Sequence, residues 1–181
     1  AATIMKVSKN SSTNRSINAS GTINASGADY AEYMTKASDF TLSKGDIAGI
    51  NLEGKLTNVF ADAISFIVKS TNPSYVGGDT WGTDEVLGKQ PSKDAPQEEK
   101  DTYNAALEAV RETVDRMAFC GQVPVNVTGA TVGDFIVPVQ NGTGISGQAV
   151  SSPTLEQYMS AVGKVIAIED DGRAKIIVKV A

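Results

Sequence analysis

Two acidic and two aromatic side chains near residue 30 have a spacing that could support chemistry. Asp29 and Glu32 are three residues apart, and so are Tyr30 and Tyr33. Two neighbouring carboxyl groups can act together as general acid and base. A tight turn would bring Asp29 and Glu32 together and let the tyrosines anchor that turn in a core. The alternative is a hinge whose aromatic side chains fix one part of the chain to the next.

The residue types that are missing exclude several kinds of catalytic site. The chain contains no histidine, and its one cysteine is Cys120. Ser-His-Asp catalysis, Cys-His catalysis and histidine-based zinc sites are therefore excluded. A single cysteine cannot form a disulfide within the chain. Because free cysteine is among the most buried residue types, we expect Cys120 in the interior.

Two other motifs have the residue types of ligand sites. Residues 142–147, Gly-Thr-Gly-Ile-Ser-Gly, match G-x-G-x-x-G, but no βαβ unit surrounds them. This context predicts a glycine-rich β-turn and not a dinucleotide site. Glu169, Asp170 and Asp171 could offer oxygen atoms to calcium, but their place between two apolar runs predicts a hairpin tip without further ligands. We expect neither a cofactor nor a metal.

The segment 71–93 contains two aromatic residues that could contact a ligand. Its Gly and Pro residues predict an irregular loop. Aromatic faces stack on sugar rings, so Trp81 and Tyr75 are candidates for a glycan site. A structural role is the alternative for Trp81.

Charge and hydropathy argue against two classes of partner. The net charge is -5, and Lys and Arg form no cluster. Non-specific nucleic-acid binding needs such clusters, so no nucleic-acid partner is predicted. No run approaches the roughly 20 apolar residues that cross a membrane, and no signal-peptide h-region is visible at the N-terminus. We therefore predict no membrane insertion.

A six-residue repeat occupies part of the first 28 residues. Residues 17–21 and 23–27 both read Ile-Asn-Ala-Ser-Gly. One β-branched residue in six cannot be buried within a single chain, but copies that stack on each other can bury it. Three chains around an axis would bury Ile17 and Ile23, which predicts that residues 1–28 form the stem of a trimer. A disordered Ser/Asn-rich linker is the alternative.

Residues 29–181 are predicted to form a mainly β domain. Apolar, β-branched runs separated by turns predict strands. Gly45-Asp46 and Gly133-Asp134 each come directly before such a run. This repetition suggests two related β-motifs in one small, barrel-like body, with a helix inserted between them.

The inserted helix is predicted over about residues 94–118. Asp94 could cap it together with Gln97, and Gly121 could end it. Five residues spaced four, three, four and three apart lie on one helical face: Tyr103, Leu107, Val110, Val114 and Met117. We expect this face to be buried against the sheet, since most helical stability comes from such packing. A coiled-coil seam is the alternative.

Several segments, in the same order, resemble a family of phage proteins. Asp29-Tyr30-Ala31-Glu32 resembles the D-Y-A-E signature that begins a C-terminal domain of phage neck-appendage and tail-fibre proteins. That domain is described as an intramolecular-chaperone or autoproteolytic domain. The resemblance continues in three further segments. Residues 45–47 with 54–56 resemble the family's strand pair, and residues 71–77 resemble the segment after its third strand. Residues 121–129 with 132–134 resemble its "G-VPV-VTG…GD" segment.

The resemblance implies a homotrimeric fibre end that registers its three chains. In some family members the domain cuts itself off just before the signature Asp. By motif position, Ala28–Asp29 would be the scissile bond, and Asp29 and Glu32 would act in the cut. Relatives that cleave have Ser where this chain has Ala28. Because such a Ser could attack its own carbonyl, Ala28 predicts inefficient cleavage.

The function predicted first is structural. The chain would be the trimeric C-terminal domain of a phage tail fibre or appendage, located in the virion, with a role in fibre assembly and host attachment. Its partners would be its own copies and other virion tail proteins. One alternative is an autoproteolytic intramolecular chaperone that cuts before Asp29. Another is a fibre tip that binds a glycan or receptor on the host surface.

Overall fold

Runs of β-branched and aromatic residues form most of the strands. The structure is a computed structural model that describes residues 21–22, 25–78 and 81–179. Its strands are β1 (Asp29–Thr35), β2 (Ile47–Ile50), β3 (Leu56–Thr57), β4 (Ser65–Lys69), β5 (Pro73–Gly77), β6 (Val114–Val125), β7 (Phe135–Asn141), β8 (Gly144–Val150), β9 (Gly163–Ile168) and β10 (Ala174–Val178).

Helical elements connect some of these strands. They are α1 (Asp84–Leu87), α2 (Gln97–Glu112), α3 (Leu155–Ser160) and a 3-10 turn at Phe60–Asp62. A capping box starts α3, because the Thr154 side chain accepts from the Gln157 backbone N–H and the Gln157 side chain accepts from the Thr154 backbone N–H. In the described part of the chain, no helix is long and apolar enough to cross a membrane.

The strands join into one curled sheet. Its order is β3-β2-β4-β6-β10-β9-β7-β8, and β1 pairs with both β6 and β5. The 12-residue strand β6 links the two parts of the sheet, since it pairs with β1 and β4 within Val114–Gly121 and with β10 over Gln122–Val125. This half-barrel, with α2 inserted between β5 and β6, confirms the predicted mainly β, barrel-like fold.

The curl brings the β7–β8 hairpin back to the first strands. The Phe60 N–H donates to the Thr143 carbonyl oxygen at 3.0 Å. A Cβ atom on Gly147 would lie 2.5 Å from Val127 and 2.8 Å from Ile47. The absence of a side chain at Gly147 therefore lets β8 approach β2 closely.

Two groups of buried apolar side chains stabilise the half-barrel. The larger group includes Val123, Ile136 and Ile176, all with 0% of their surface exposed. The smaller group consists of Phe40, Leu42, Ala48, Leu56, Ile67 and Met117. Fully burying one such side chain contributes about 1.5–3 kcal/mol, so packing on the sheet is a main source of stability.

The two Gly-Asp turns have the same local structure. The Asp46 carboxylate accepts from the Ser43 N–H at 2.7 Å, and the Asp134 carboxylate accepts from the Thr131 N–H at 2.8 Å. In return, the Asp46 N–H donates to the Ser43 carbonyl at 3.0 Å, and the Asp134 N–H donates to the Thr131 carbonyl at 3.1 Å. The two turns therefore share one hydrogen-bond pattern, and their membership in two related β-motifs stays a prediction.

The two predicted hairpin turns are confirmed. The residues that match G-x-G-x-x-G form the turn between β7 and β8 and the first part of β8. Residues 169–173 join β9 to β10, and the predicted turn residues 170–172 lie within this connection. Neither segment leads into a helix, so the G-x-G-x-x-G match has no helix N-terminus at which to hold a phosphate.

The helix is shorter than predicted, and its apolar face is not buried as expected. It covers Gln97–Glu112, starts after Pro96 and has no side-chain cap from Asp94. Val114 and Met117 are buried, but they belong to β6, while no residue of α2 is buried. Pairing of β6 with β1 and β4 outweighs the helical spacing there, because each strand residue gains both ladder hydrogen bonds and core contacts.

Two smaller predictions also need correction. Segment 71–93, expected to be irregular, contains β5 and α1. Cys120, expected in the interior, is exposed. It follows Phe119, an extra residue on β6 that has no partner on β1, and this bulge locally disrupts the alternation of buried and exposed positions.

Candidate functional site

Asp29-Tyr30-Ala31-Glu32 lies in strand β1 and not in the tight turn that its spacing suggested. β1 pairs in parallel with β5 and antiparallel with β6. The pairing has two bulges, but their extra residues, Ser74 and Phe119, lie on the partner strands β5 and β6. The alternation of side chains along β1 is therefore regular. Successive side chains in a strand point to opposite faces. Asp29 and Glu32, three residues apart, therefore lie on opposite faces of the sheet.

The Asp29 side chain is enclosed in the protein. It is 1% exposed, and neither carboxylate oxygen has a hydrogen-bond partner within the described residues. Burial raises the pKa of the Asp29 carboxyl above its usual value of 3.8. The nearby Ser70 hydroxyl and Arg116 guanidinium lower this pKa, but by less than burial raises it. A buried carboxyl without full compensation is costly to keep, which makes this position a candidate functional site.

Ser70 is the neighbour that sequence reasoning did not identify. It follows β4 and is also 1% exposed, and its Oγ has no hydrogen-bond partner in the described part of the chain. Its hydroxyl lies beside the Asp29 carboxyl, although the two form no hydrogen bond of ordinary length and angle. No motif around Ser70 indicates this, because the contact depends on how the loop after β4 crosses to β5.

Hydrogen bonds to neighbouring segments hold the two residues that flank the Ala28–Asp29 bond. The Ala28 N–H donates to the Asn72 carbonyl at 3.1 Å, and the Ala28 carbonyl accepts from the Gln122 N–H at 3.1 Å. On the Asp29 side, the Ser74 hydroxyl donates to the Asp29 carbonyl at 3.0 Å. These bonds fix the position of Ala28–Asp29 between the loop that precedes β5 and the strand β6.

Gly121 permits β6 to pass close to this bond. A Cβ atom on Gly121 would lie 2.5 Å from the Ala28 carbonyl oxygen and 2.7 Å from the Asp29 Cα. The residue also has a φ of +106°, which L-residues with side chains rarely adopt. The sequence placed Gly121 at the end of a helix, whereas its role is this close approach between two strands.

Glu32 has a different environment on the other face. The Tyr30 hydroxyl donates a hydrogen bond to the Glu32 carboxylate. This bond is the main reason that the pKa of Tyr30 is raised to about 12. Glu32 is half-buried and is engaged with Tyr30, on the side away from the Asp29 carboxyl.

An aromatic cluster surrounds Tyr30 on that face. The Tyr30 and Tyr75 rings stack with centroids 5.4 Å apart, and Phe119 contacts Tyr30 edge-on at 6.5 Å. Tyr75 is 62% exposed, so much of its surface is open to a ligand or partner. Trp81 is half-buried, and its Nε1 is buried. Among the described residues, Trp81 makes no ring contact with Tyr30, Tyr75 or Phe119. The structure thus places one of the two candidate glycan contacts, Tyr75, on an open aromatic surface.

The acidic hairpin tip is engaged with basic side chains. Glu169 pairs with Lys175 at 2.6 Å, and Asp171 pairs with Arg173 at 2.7 Å. Hydrogen bonds from the Arg173 backbone and side chain lower the pKa of Asp171. Among the described residues, no three His, Cys, Asp or Glu side chains form a group that could hold a metal. The two proposed trimer contacts, Ile17 and Ile23, lie outside the described residues.

Comparison with known proteins yields one structural similarity. No protein-family model matches the chain, and no curated protein matches it significantly. Among solved structures, the chain is similar to one described as the "pre-mature bacteriophage phi29 gene product 12", with a TM-score of 0.54 and 17% sequence identity. The match covers 96% of this chain and 24% of that chain. The shared fold therefore extends over nearly all of this chain and over about a quarter of the phage protein.

Proposed function

We propose that this chain is a structural component of a phage virion and forms the trimeric C-terminal domain of a tail fibre or appendage. The observation that carries the proposal is the fold similarity, which covers 96% of the chain and matches one part of a much longer phage protein. The order of the segments that resemble phage neck-appendage and tail-fibre domains supports the same function. In this proposal, residues 1–28 are the stem, and residues 29–181 are the head domain that registers three chains and contacts other virion tail proteins.

The trimer is tested by the mass of the native protein in solution. Light scattering should give three times the 18.9 kDa mass of one chain. Ile17→Asp combined with Ile23→Asp should weaken the trimer, since both charges would enter the proposed stem interface. Leu52→Asp is the matched control, because Leu52 is 87% exposed in the head domain. A monomer at micromolar concentration would contradict the fibre proposal.

A second candidate function is autoproteolysis before Asp29. The observation that favours it is a buried carboxyl whose oxygens have no hydrogen-bond partner among the described residues, placed directly after a peptide bond whose carbonyl accepts from the Gln122 N–H. Intact-mass spectrometry of denatured protein should then show a species that begins at Asp29. Glu32→Gln tests the role that the resemblance gives to Glu32.

A third candidate is attachment to a host surface glycan. The stacked and exposed Tyr75 favours it, since such rings bind the apolar faces of sugars. Trp81 would join the site only if it approaches the ligand. Titration calorimetry with oligosaccharides should detect binding, and Tyr75→Ala should reduce it. Quenching of Trp81 fluorescence on titration would show that Trp81 also contacts the ligand. If binding survives Tyr75→Ala, the aromatic cluster around Tyr30 is not the glycan site.

A further inference from the structure

We propose that Ser70 is the nucleophile that cuts the Ala28–Asp29 bond, with the Asp29 carboxylate as its base. The inference rests on the autoproteolytic candidate function. Relatives that cleave have a serine directly before the signature Asp, and this chain has Ala28 instead. The fold brings another hydroxyl, from a distant point in the sequence, to the buried carboxyl that follows the bond.

The loop after β4 positions Ser70. Its backbone N–H donates to the Arg116 carbonyl at 3.0 Å, and two residues later the Asn72 carbonyl accepts from the Ala28 N–H at 3.1 Å. The loop is therefore fixed to β6 at one end and to the residue before the scissile bond at the other. Ser70 cannot leave the junction without breaking one of these bonds.

The burial of the two side chains is a second reason to assign them a function. Ser70 and Asp29 are each 1% exposed, and their side-chain oxygens lack hydrogen-bond partners among the described residues. Buried polar groups of this kind are uncommon, because each one costs stability. Apolar side chains of similar size would fill the space at lower cost. The structure instead holds a hydroxyl and a carboxyl together.

In this proposal, Ser70 would attack the Ala28 carbonyl from the buried face of the sheet. A nucleophile reaches a carbonyl carbon from above or below the peptide plane, which in a sheet means from one of its faces. The Asp29 side chain projects from the buried face, and Ser70 lies beside that side chain. The Ala28 oxygen already accepts from the Gln122 N–H at 3.1 Å, and this donor could stabilise the negative charge that develops there.

The reaction balances with water as the only added reactant. The Asp29 carboxylate takes the proton from Ser70 Oγ as Oγ bonds to the Ala28 carbonyl carbon. The bond from that carbon to the Asp29 nitrogen then breaks, and the nitrogen takes the proton and becomes a free amine. Water hydrolyses the Ala28–Ser70 ester, which yields an Ala28 carboxylate and restores the Ser70 hydroxyl.

Glu32 is not the base in this scheme, because it lies on the opposite face and accepts from Tyr30. The raised pKa of Asp29 makes its carboxylate a better proton acceptor than an ordinary one, while fewer molecules are ionised at low pH. The cleavage rate should therefore rise with pH and level off above the pKa of Asp29. This pH dependence distinguishes Asp29 from a carboxyl of ordinary pKa.

Intact-mass spectrometry of the whole chain, incubated for days at neutral pH, tests the proposal. We expect slow growth of a species that begins at Asp29. Ser70→Ala should slow it by at least about 100-fold, the scale typical for loss of a catalytic group. Ser65→Ala is the matched control, since Ser65 is an exposed serine on the adjacent strand β4 and should leave the rate unchanged. Equal thermal unfolding of the variants and the parent protein would show that the fold is intact.

Hydroxylamine identifies the intermediate. It should capture the ester and give the stem fragment a hydroxamate at Ala28, while Ser70→Cys should give a thioester that is captured faster. If the parent protein and Ser70→Ala cut at equal rates, Ser70 is not the nucleophile, although autoproteolysis stands. If the parent protein stays intact, both the nucleophile and autoproteolysis are wrong, and the trimeric structural function is unaffected.

Discussion

The half-barrel and the segment 81–112 both carry regularly spaced apolar residues, but they bury them to different extents. Ile136 and Ile176 of the sheet are completely buried, whereas α1 and α2 contain no buried residue. A strand in the curled sheet has neighbours on its edges and a second apolar surface facing it. The helix α2 has few such surfaces within one chain. Regular spacing creates a potential core face, and only an opposing apolar surface makes it a core.

Removal of a large side chain from the half-barrel should have the largest effect. Ile176→Ala should lower the free energy of unfolding by about 2–5 kcal/mol, because it removes buried methyl groups and leaves a cavity. Leu107→Ala on α2 should cost well under half as much. Urea denaturation of both variants measures the difference. Similar losses in the two variants would show that α2 belongs to the core.

Close packing at the junction should give the next largest effect. Gly121→Ala should destabilise the protein by about 2 kcal/mol or more, because the new Cβ would meet backbone atoms and the positive φ is unfavourable. Gly172→Ala has a comparable φ of +83° but open space around the Cβ, so it should cost about 1 kcal/mol. The difference between their melting temperatures isolates the contact with Ala28–Asp29. No difference would mean that β6 does not press on this bond.

A charge on the apolar stripe of α2 sharpens the comparison. Leu107→Asp should cost about 1 kcal/mol, since the half-buried side chain can turn toward water. The same substitution at the fully buried Val123 should prevent folding or cost several kcal/mol. Thermal unfolding measures both variants. A severe loss with Leu107→Asp would show that the helix face is covered, as the sequence first suggested.

Asp29 is a buried carboxyl without a hydrogen-bond partner in the described residues, and its replacement should stabilise the protein. Burial raises its pKa in the folded state, so the folded protein favours the protonated form. Stability is therefore complete below pH 3.8, the usual pKa, and part of it is lost as the pH rises through the folded-state value. Asp29→Asn removes that loss and should raise the melting temperature at neutral pH.

The pH dependence decides this last prediction. The gain from Asp29→Asn should disappear at acidic pH, where the carboxyl is protonated in both the folded and the unfolded protein. Asp170→Asn, at an exposed hairpin tip, is the control and should give no such pH-dependent gain. A destabilising Asp29→Asn at neutral pH would mean that the carboxylate has a partner and that its pKa is not raised.

Local patterns predicted the turns and hairpins well. Gly45-Asp46 and Gly133-Asp134 form equivalent turns because each Asp carboxylate accepts from a backbone N–H three residues earlier, a contact that needs no distant partner. The hairpin of β9 and β10 likewise followed from the turn residues at 170–172. The helix boundary was wrong, since Val114 and Met117 fit a helical face and a buried strand equally well until the neighbours of β6 are known.

The candidate bond before Asp29 came from the resemblance to phage appendage and tail-fibre domains. The sequence by itself determined the mainly β character, the repeated Gly-Asp motif and the exclusion of histidine chemistry. These properties depend on residue types and on contacts a few positions apart. Only the tertiary structure decided that Asp29 and Glu32 lie on opposite faces, that Ser70 lies beside the Asp29 carboxyl, and that Gly121 permits the close strand contact. Each of those facts joins residues that are distant in sequence or depends on a choice between strand and turn, and packing of the whole sheet makes that choice.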